Sequence, residues 1–394
     1  MLTLNIEYQL IEYCTSKKLI TTKYSVMKKI ISITITRFSI LFLLVIASTN
    51  IDAKNTSPLD SSSKTFKKIN NSYKASKTLF GHQEGLLYGI KWKELNDMSD
   101  TKLAIGKHPQ LSGYEISGIE KNATKNINGV PFDMIKKSIK ENYSKNGVAI
   151  FSWHMDNPFN DGDSWNVNNV DLNELLPGGK YHEKYKKNMN SFVKFMSSLE
   201  IGSFKDKVFF RPFHEANGKW FWWGHLSYND DEAFRKLWMW TNHYIKSFPK
   251  MKELQFVYST DRIKSKEEYL SRCVLNDNVV DLLAFDSYQQ NEKDNFKDAL
   301  SLSASIVSEI ADETGLPYAI SEIGYDQIPD KNWWTETLEP VINEYNFKFV
   351  MLWRNAGFLT KTQRYHYYIP YKGDISYNDF VDFAKNSKLV WRER

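Results

Sequence analysis

The sequence predicts a single (β/α)8 barrel, and three observations carry that expectation. Eight short apolar runs recur along the chain, amphipathic stretches lie between them, and polar and aromatic side chains collect just past the runs. The runs fall at 78–82, 110–114, 147–154, 207–213, 254–260, 280–288, 317–323 and 347–354. Helical periodicity fills 131–143, 182–199, 230–247, 298–314 and 333–345. Pro131 suits a first helical turn, Asp230 suits an N-cap, and Gly315 stops a helix before the strand that begins at 317. A doubly wound open sheet is the rival fold, but no glycine-rich phosphate loop follows any run. At 394 residues the chain is long enough for one such barrel, and its 15% aromatic content favours a ligand groove as well as a core.

The N-terminal part reads differently. Met27 to Arg37 is a basic segment, and residues 38–47 form an apolar run too short to span a bilayer. Together with Ala47 or Ala53 as cleavage points they predict a secretory signal, hence a secreted or periplasmic protein with no membrane attachment after cleavage. Residues 1–26 are a polar extension ahead of that signal, and translation is expected to start at Met27. Residues 54–68 are polar and read as a linker, leaving 69–394 as the barrel domain. Residues 1–53 hold a net +3 of the chain's +5, so the remainder is near +2 without a basic cluster, which is no footprint for nucleic acid. Cys273 is alone in that remainder, so no disulfide within it is expected.

The barrel expectation places chemistry at the C-terminal ends of the strands. The stretch Val208 to Gly224 holds Arg211, Pro212, His214, Glu215 and Gly218, then Trp220, Phe221, Trp222 and Trp223. Pro212 suits a strand end because it cannot donate to the ladder. A carboxyl ringed by aromatics has its proton held, because burial disfavours the charged form. Other strand ends supply His82, His154, Asp261, Asp286, Tyr288, Glu322, Trp353 and Arg354. Glu215 and Glu322 then face each other across the mouth, the arrangement that glycoside hydrolysis needs. Glu215, among aromatics and beside a second carboxylate, is the expected acid and then base. Glu322 is the expected nucleophile, kept ionised by donors such as Tyr288 or Arg211. The carboxyl separation, which decides retention or inversion, is left open by sequence.

Plainer readings compete at each position. Arg211 and Glu215 can form a salt bridge in a hydrophobic corner, Glu322 can pair with an arginine or cap the turn at Gly324, and Asp286 can fix a loop. His82 and His154 can be satisfied by nearby backbone groups, and Trp153, Trp165, Trp333 and Trp334 suit packing or groove wall. Four histidines (His82, His108, His154 and His214) could meet at a mouth, yet no H-E-x-x-H is present, so no metal is expected. No G-x-S-x-G elbow occurs either.

The run Arg211-Pro-Phe-His-Glu with Asn217-Gly218-x-Trp220-Phe-Trp-Trp-Gly224 resembles the acid/base signature of glycoside hydrolase family 26. Gly81-His82-Gln83, Ser152-Trp153-His154-x-Asp156-Asn157-Pro158, Leu176-Pro177-Gly178-Gly179, Phe285-Asp286-x-Tyr288, Glu322-x-Gly324 and Trp353-Arg354-Asn355-Ala356 extend the resemblance across most of the chain. It implies a retaining barrel enzyme without cofactor, acting on β-mannan or a related plant polysaccharide, with Glu215 as acid/base and Glu322 as nucleophile. The family's alternative substrates are 1,3-β-xylan and mixed-linkage glucan, and a monomer is expected. It also implies sugar contacts from His154 and His214, aromatic floors from Trp220 and Trp353, and a donor to the nucleophile from Tyr288. Arg211 is expected among the substrate contacts. Ala216, Ser321 and Ile323 depart from the pattern beside the two glutamates and bear on subsite preference.

Overall fold

The protein is described by a computed structural model covering residues 77–94, 96–226 and 230–393; the expected extension, signal and linker lie outside the described residues. All eight expected strands form: β1 Thr78–Gln83, β2 Leu111–Glu115, β3 Val148–Ser152, β4 Val208–Arg211, β5 Gln255–Thr260, β6 Leu282–Gln289, β7 Tyr318–Tyr325 and β8 Phe349–Leu352. Each pairs in parallel with its neighbour in chain order, and β8 closes on β1 through Leu79↔Phe349 to His82↔Leu352. The sheet therefore closes into a barrel, as the sequence predicts.

Alternation along the strands makes two cores. Inward residues Leu111, Val148, Ile150, Phe209, Val257, Leu282, Ala284, Ala319, Phe349 and Met351 plug the barrel floor. Outward residues such as Phe80, Phe151, Phe210, Phe256, Phe285 and Ile320 are buried beneath the helices. Because both faces are covered, the strands read as continuous apolar runs.

Eight helices follow the eight strands: α1 Asp100–Ile105, α2 Phe132–Ser144, α3 His182–Ser197, α4 Asp231–Lys246, α5 Lys266–Leu270, α6 Phe296–Thr314, α7 Glu339–Glu344 and α8 Tyr377–Phe383. Asp230 caps α4 by accepting from the Ala233 amide, and Gly315 ends α6 at φ +73°, the left-handed cap that glycine adopts without strain. The helix expected over 333–345 starts as a π-turn, Trp333–Leu338, before α7. Pro340 explains this, since it offers no amide to an ordinary i−4 carbonyl. At the floor end Leu389–Arg392 runs beside β1 and pairs antiparallel with His108–Pro109.

Candidate active site

Beyond the apolar floor the inward positions of the same strands turn polar: Ser152 on β3, Arg211 on β4, Ser259 on β5, Asp286 and Tyr288 on β6, and Glu322 on β7. Two backbone irregularities aim the glutamates. Past β4 the chain takes left-handed conformations at Phe213 (φ +50°) and Glu215 (φ +52°), which ordinary side chains rarely adopt. The kink is held by the Ala216 amide on the Ser259 carbonyl (3.1 Å), the Trp223 indole on the His214 carbonyl (2.8 Å) and Arg272 Nη1 on the Ala216 carbonyl (3.1 Å). Strain of about 1–3 kcal/mol per residue is tolerated only where the surroundings fix it so firmly. Gly218 is required by close approach: a Cβ there would lie 2.6 Å from the Trp220 ring.

The second irregularity is a bulge in β7. Ile320 pairs with Phe285 but Glu322 pairs with Asp286, so Ser321 is an extra residue. Strict alternation from inward Ala319 would send Glu322 outward; the extra residue returns it to the barrel axis. Ser321 then donates its hydroxyl to Asp286 Oδ1 at 2.6 Å.

Arg211 lies at the centre of the arrangement. Its Nη1 donates to Asp286 Oδ2 (2.8 Å) and Ser259 Oγ (3.2 Å), and its Nη2 donates to Glu322 Oε1 and Ser152 Oγ. The other oxygen of Glu322 accepts from Tyr288 Oη at 2.6 Å. Glu215, Asp286 and Glu322 bring carboxylate oxygens within 4.8 Å of one another. One guanidinium cannot balance three carboxylates, so a proton must stay in the cluster. Burial and the charges of Asp286, Glu322 and Asp261 push the Glu215 carboxyl well above its ordinary range, against the pull of the Trp220 indole that donates to it. Burial and Glu322 also push Asp286 upward while Arg211 pulls it down. Both Asp286 oxygens accept from donors, which favours its ionised form and leaves Glu215 as the proton holder. The three carboxyls are the one group among the described residues with the spacing of a cation site, but Arg211 already supplies the cation.

The plainer reading of a salt bridge from Arg211 to Glu215 does not hold; the partners of Arg211 are Asp286 and, as expected, Glu322. The expectation that Arg211 touches substrate is also corrected. Its side chain is 0% exposed, behind the carboxylates, and serves as their brace. Replacing Arg211 by methionine should therefore lower stability by about 3–5 kcal/mol, because two buried carboxylates lose their counter-ion. Urea unfolding measures this, and an unchanged midpoint would show that the brace lies elsewhere. Arg211→Lys should recover little, since an ammonium cannot fork across two carboxylates.

Over the cluster lies a cleft of about 270 Å³ lined by His154, Trp165, His214, Glu215, Trp220, Phe221, Tyr288, Glu322, Trp353 and Tyr368. It brings together every other expected site residue. Trp220 is 40% exposed and Trp165 49%, so flat indole faces are open to a ligand. Trp165 stacks on His154 (5.1 Å, 20°), and Tyr288 stands edge-on to Trp353 at 6.5 Å and to Tyr368 at 5.8 Å. Tyr368 was not expected, since no motif marks it, although Gly324 leaves room for its ring: a Cβ there would lie 2.1 Å from Tyr368. The four histidines do not assemble. His154 and His214 meet, His82 is buried outside the lining, and His108 bonds Ser99 and Asp97 elsewhere. Trp153, Trp333 and Trp334 are buried packing. Cys273 is buried and free.

Comparison with known proteins agrees with this architecture. The profile of glycosyl hydrolase family 26 matches residues 56–351. A GH26 beta-mannanase from Bacteroides ovatus superposes with a TM-score of 0.74 at 33% identity, covering 81% of this chain and 91% of its own. A mannan endo-1,4-beta-mannosidase from Bifidobacterium adolescentis is 25% identical over 370 residues, 87% of this chain and 36% of its own length. One from Bacillus subtilis is 28% identical over 237 residues, 56% of this chain and 59% of that protein. The chain thus spans between about a third and three fifths of the length of these curated relatives. With most of its length matched, the chain belongs to glycosyl hydrolase family 26.

Proposed function

We propose that the protein cleaves β-1,4-mannosidic linkages within mannan, glucomannan or galactomannan, with retention of configuration. The observation that carries the mechanism is the pairing of Glu215 and Glu322, with carboxyl oxygens within 4.8 Å, Glu322 held by two donors and Glu215 buried beside like charges. A gap near 5–5.5 Å leaves no room for a water between carboxylate and sugar, so one carboxylate attacks the anomeric carbon itself. Glu322, hydrogen-bonded by Arg211 and Tyr288, is that nucleophile. Glu215 gives its proton to the leaving oxygen, and the resulting carboxylate then takes one from the water that releases the sugar. Trp220 and Trp353 supply apolar faces for the pyranose rings, and His154 and His214 form the wall beside the bond.

Mannan as substrate is supported by the mannanase relatives from three bacteria, and export by the basic and apolar residues 27–47. We propose action as a secreted or periplasmic monomer that needs no cofactor. The purified protein should release oligosaccharides from mannan faster than from β-1,3-xylan or mixed-linkage glucan. NMR of the first products should show the β-anomer. Early α-anomer would overturn the role of Glu322; preference for another polymer would move the substrate and keep the mechanism. Binding without cleavage would leave a polysaccharide-binding barrel.

A further inference from the structure

The cleft wall next to Glu215 contains a chain of hydrogen bonds that the two-carboxylate mechanism does not use. Glu115, at the end of β2, is 1% exposed. Its Oε1 accepts from the amides of Ser117 (2.7 Å) and His154 (3.0 Å), and its Oε2 meets His154 Nδ1 at 2.6 Å. On the far side of that ring, His154 Nε2 meets His214 Nε2 at 3.2 Å. His214 Nδ1 is buried and has no hydrogen-bond partner.

Both ends of this chain demand the same direction. An ionised carboxylate only accepts, and two fixed amides already donate to Glu115, so His154 carries its proton on Nδ1. Its Nε2 then offers a lone pair, which His214 Nε2 must meet with a proton. At the other end, a buried N–H without an acceptor is rarer and costlier than an unmet lone pair. That favours an unprotonated Nδ1 and again places the His214 proton on Nε2. Burial, aided by the positive charge of Arg211, keeps the His214 ring well below its ordinary pKa, hence neutral with a single proton.

We propose that Glu115 is a positioning residue that sets the tautomer and orientation of the His154–His214 pair, with protons running from His214 to His154 to Glu115. A turn of the His214 ring about χ2 would break its contact with His154, so the ring of the residue immediately before Glu215 is locked. The catalytic consequence rests on the cleft being a glycan-cleaving site; the direction of the hydrogen bonds does not.

Glu115→Gln is the informative change. The two amides keep the amide oxygen at the Oε1 place, so the new NH2 faces His154 Nδ1 and demands its lone pair. The protons then shift to His154 Nε2 and His214 Nδ1, reversing the chain. Nitrogen-15 NMR of the imidazoles at pH 8, with the eight histidines assigned by single substitution, reads the tautomers directly. In the unaltered protein His154 should be Nδ1–H and His214 Nε2–H, and in E115Q both should swap. On mannan, E115Q should lose about 10- to 100-fold in kcat/KM, taking as a guide the loss when a metal-binding imidazole is deprived of its orienting carboxylate. A wild-type His214 protonated on Nδ1, or a His154 carrying two protons at pH 8, would overturn the proposal even if E115Q failed to fold. Swapped tautomers with unchanged kcat/KM would remove the positioning role. The stated tautomers in a protein that cleaves no glycan would instead count against the function and leave the hydrogen-bond direction standing.

Discussion

Glu322→Ala should reduce mannan hydrolysis by about 10³-fold or more while the fold persists, because the covalent step is lost. The side chain is 4% exposed, and its two oxygens are held by Arg211 and Tyr288. Removing it leaves Arg211 paired with Asp286, so the guanidinium keeps a counter-ion and the barrel is not left with an unpaired charge. The cavity lies at the floor of an open cleft and can admit a small anion. Azide should therefore restore turnover of an activated aryl β-mannoside, and the product should be the α-mannosyl azide, since attack comes from the face that Glu322 vacates. Isolation of the β-azide, or activity within tenfold of the unaltered protein, would assign the nucleophile to another group. Asp286 is the obvious rival, but its oxygens are bound by Arg211 and Ser321 and it is 0% exposed.

The distribution of what was legible in the sequence follows from the physics of the barrel. Strands buried on both faces must be continuous apolar runs, and all eight were readable. Polar residues just past those runs mark the mouth, so Glu215, Glu322, His154, His214, Tyr288, Trp220 and Trp353 were expected there by position together with the family resemblance, and one cleft brings them together. The unreadable features depend on pairings distant in sequence. Arg211 was expected as a donor to Glu322, 111 residues away, and that pairing forms, but its second carboxylate, Asp286, lies 75 residues away and read only as an acid that could fix a loop. The bulge at Ser321 exists only in the register of β7 against β6, and nothing local announces it. Phe213 and Glu215 are not residue types that signal a left-handed backbone, so the turn that presents the acid was hidden. Glu115 was not singled out, because its contacts run through two histidines that follow other strands.

The pH profile offers the sharpest test of the acid. A general acid acts only when protonated, so activity must fall as pH rises through its pKa in the complex. Burial and the neighbouring charges of Asp286, Glu322 and Asp261 raise the Glu215 pKa, which shifts this basic limb to higher pH than an ordinary carboxyl would give. Glu215→Gln keeps the shape and the contact with Trp220 but cannot give or take a proton. It should cost about 10²–10⁴-fold on mannan, whose sugar leaving group needs that proton. The loss should be far smaller for the first step of an aryl mannoside with a good leaving group, seen as a rapid burst of phenol. Release of the sugar should then be slow, because no base activates water, and azide should accelerate it while giving the β-azide. The basic limb should also disappear for that first step. A basic limb that survives in E215Q would belong to some other group, with Asp286 or Asp261 next in line.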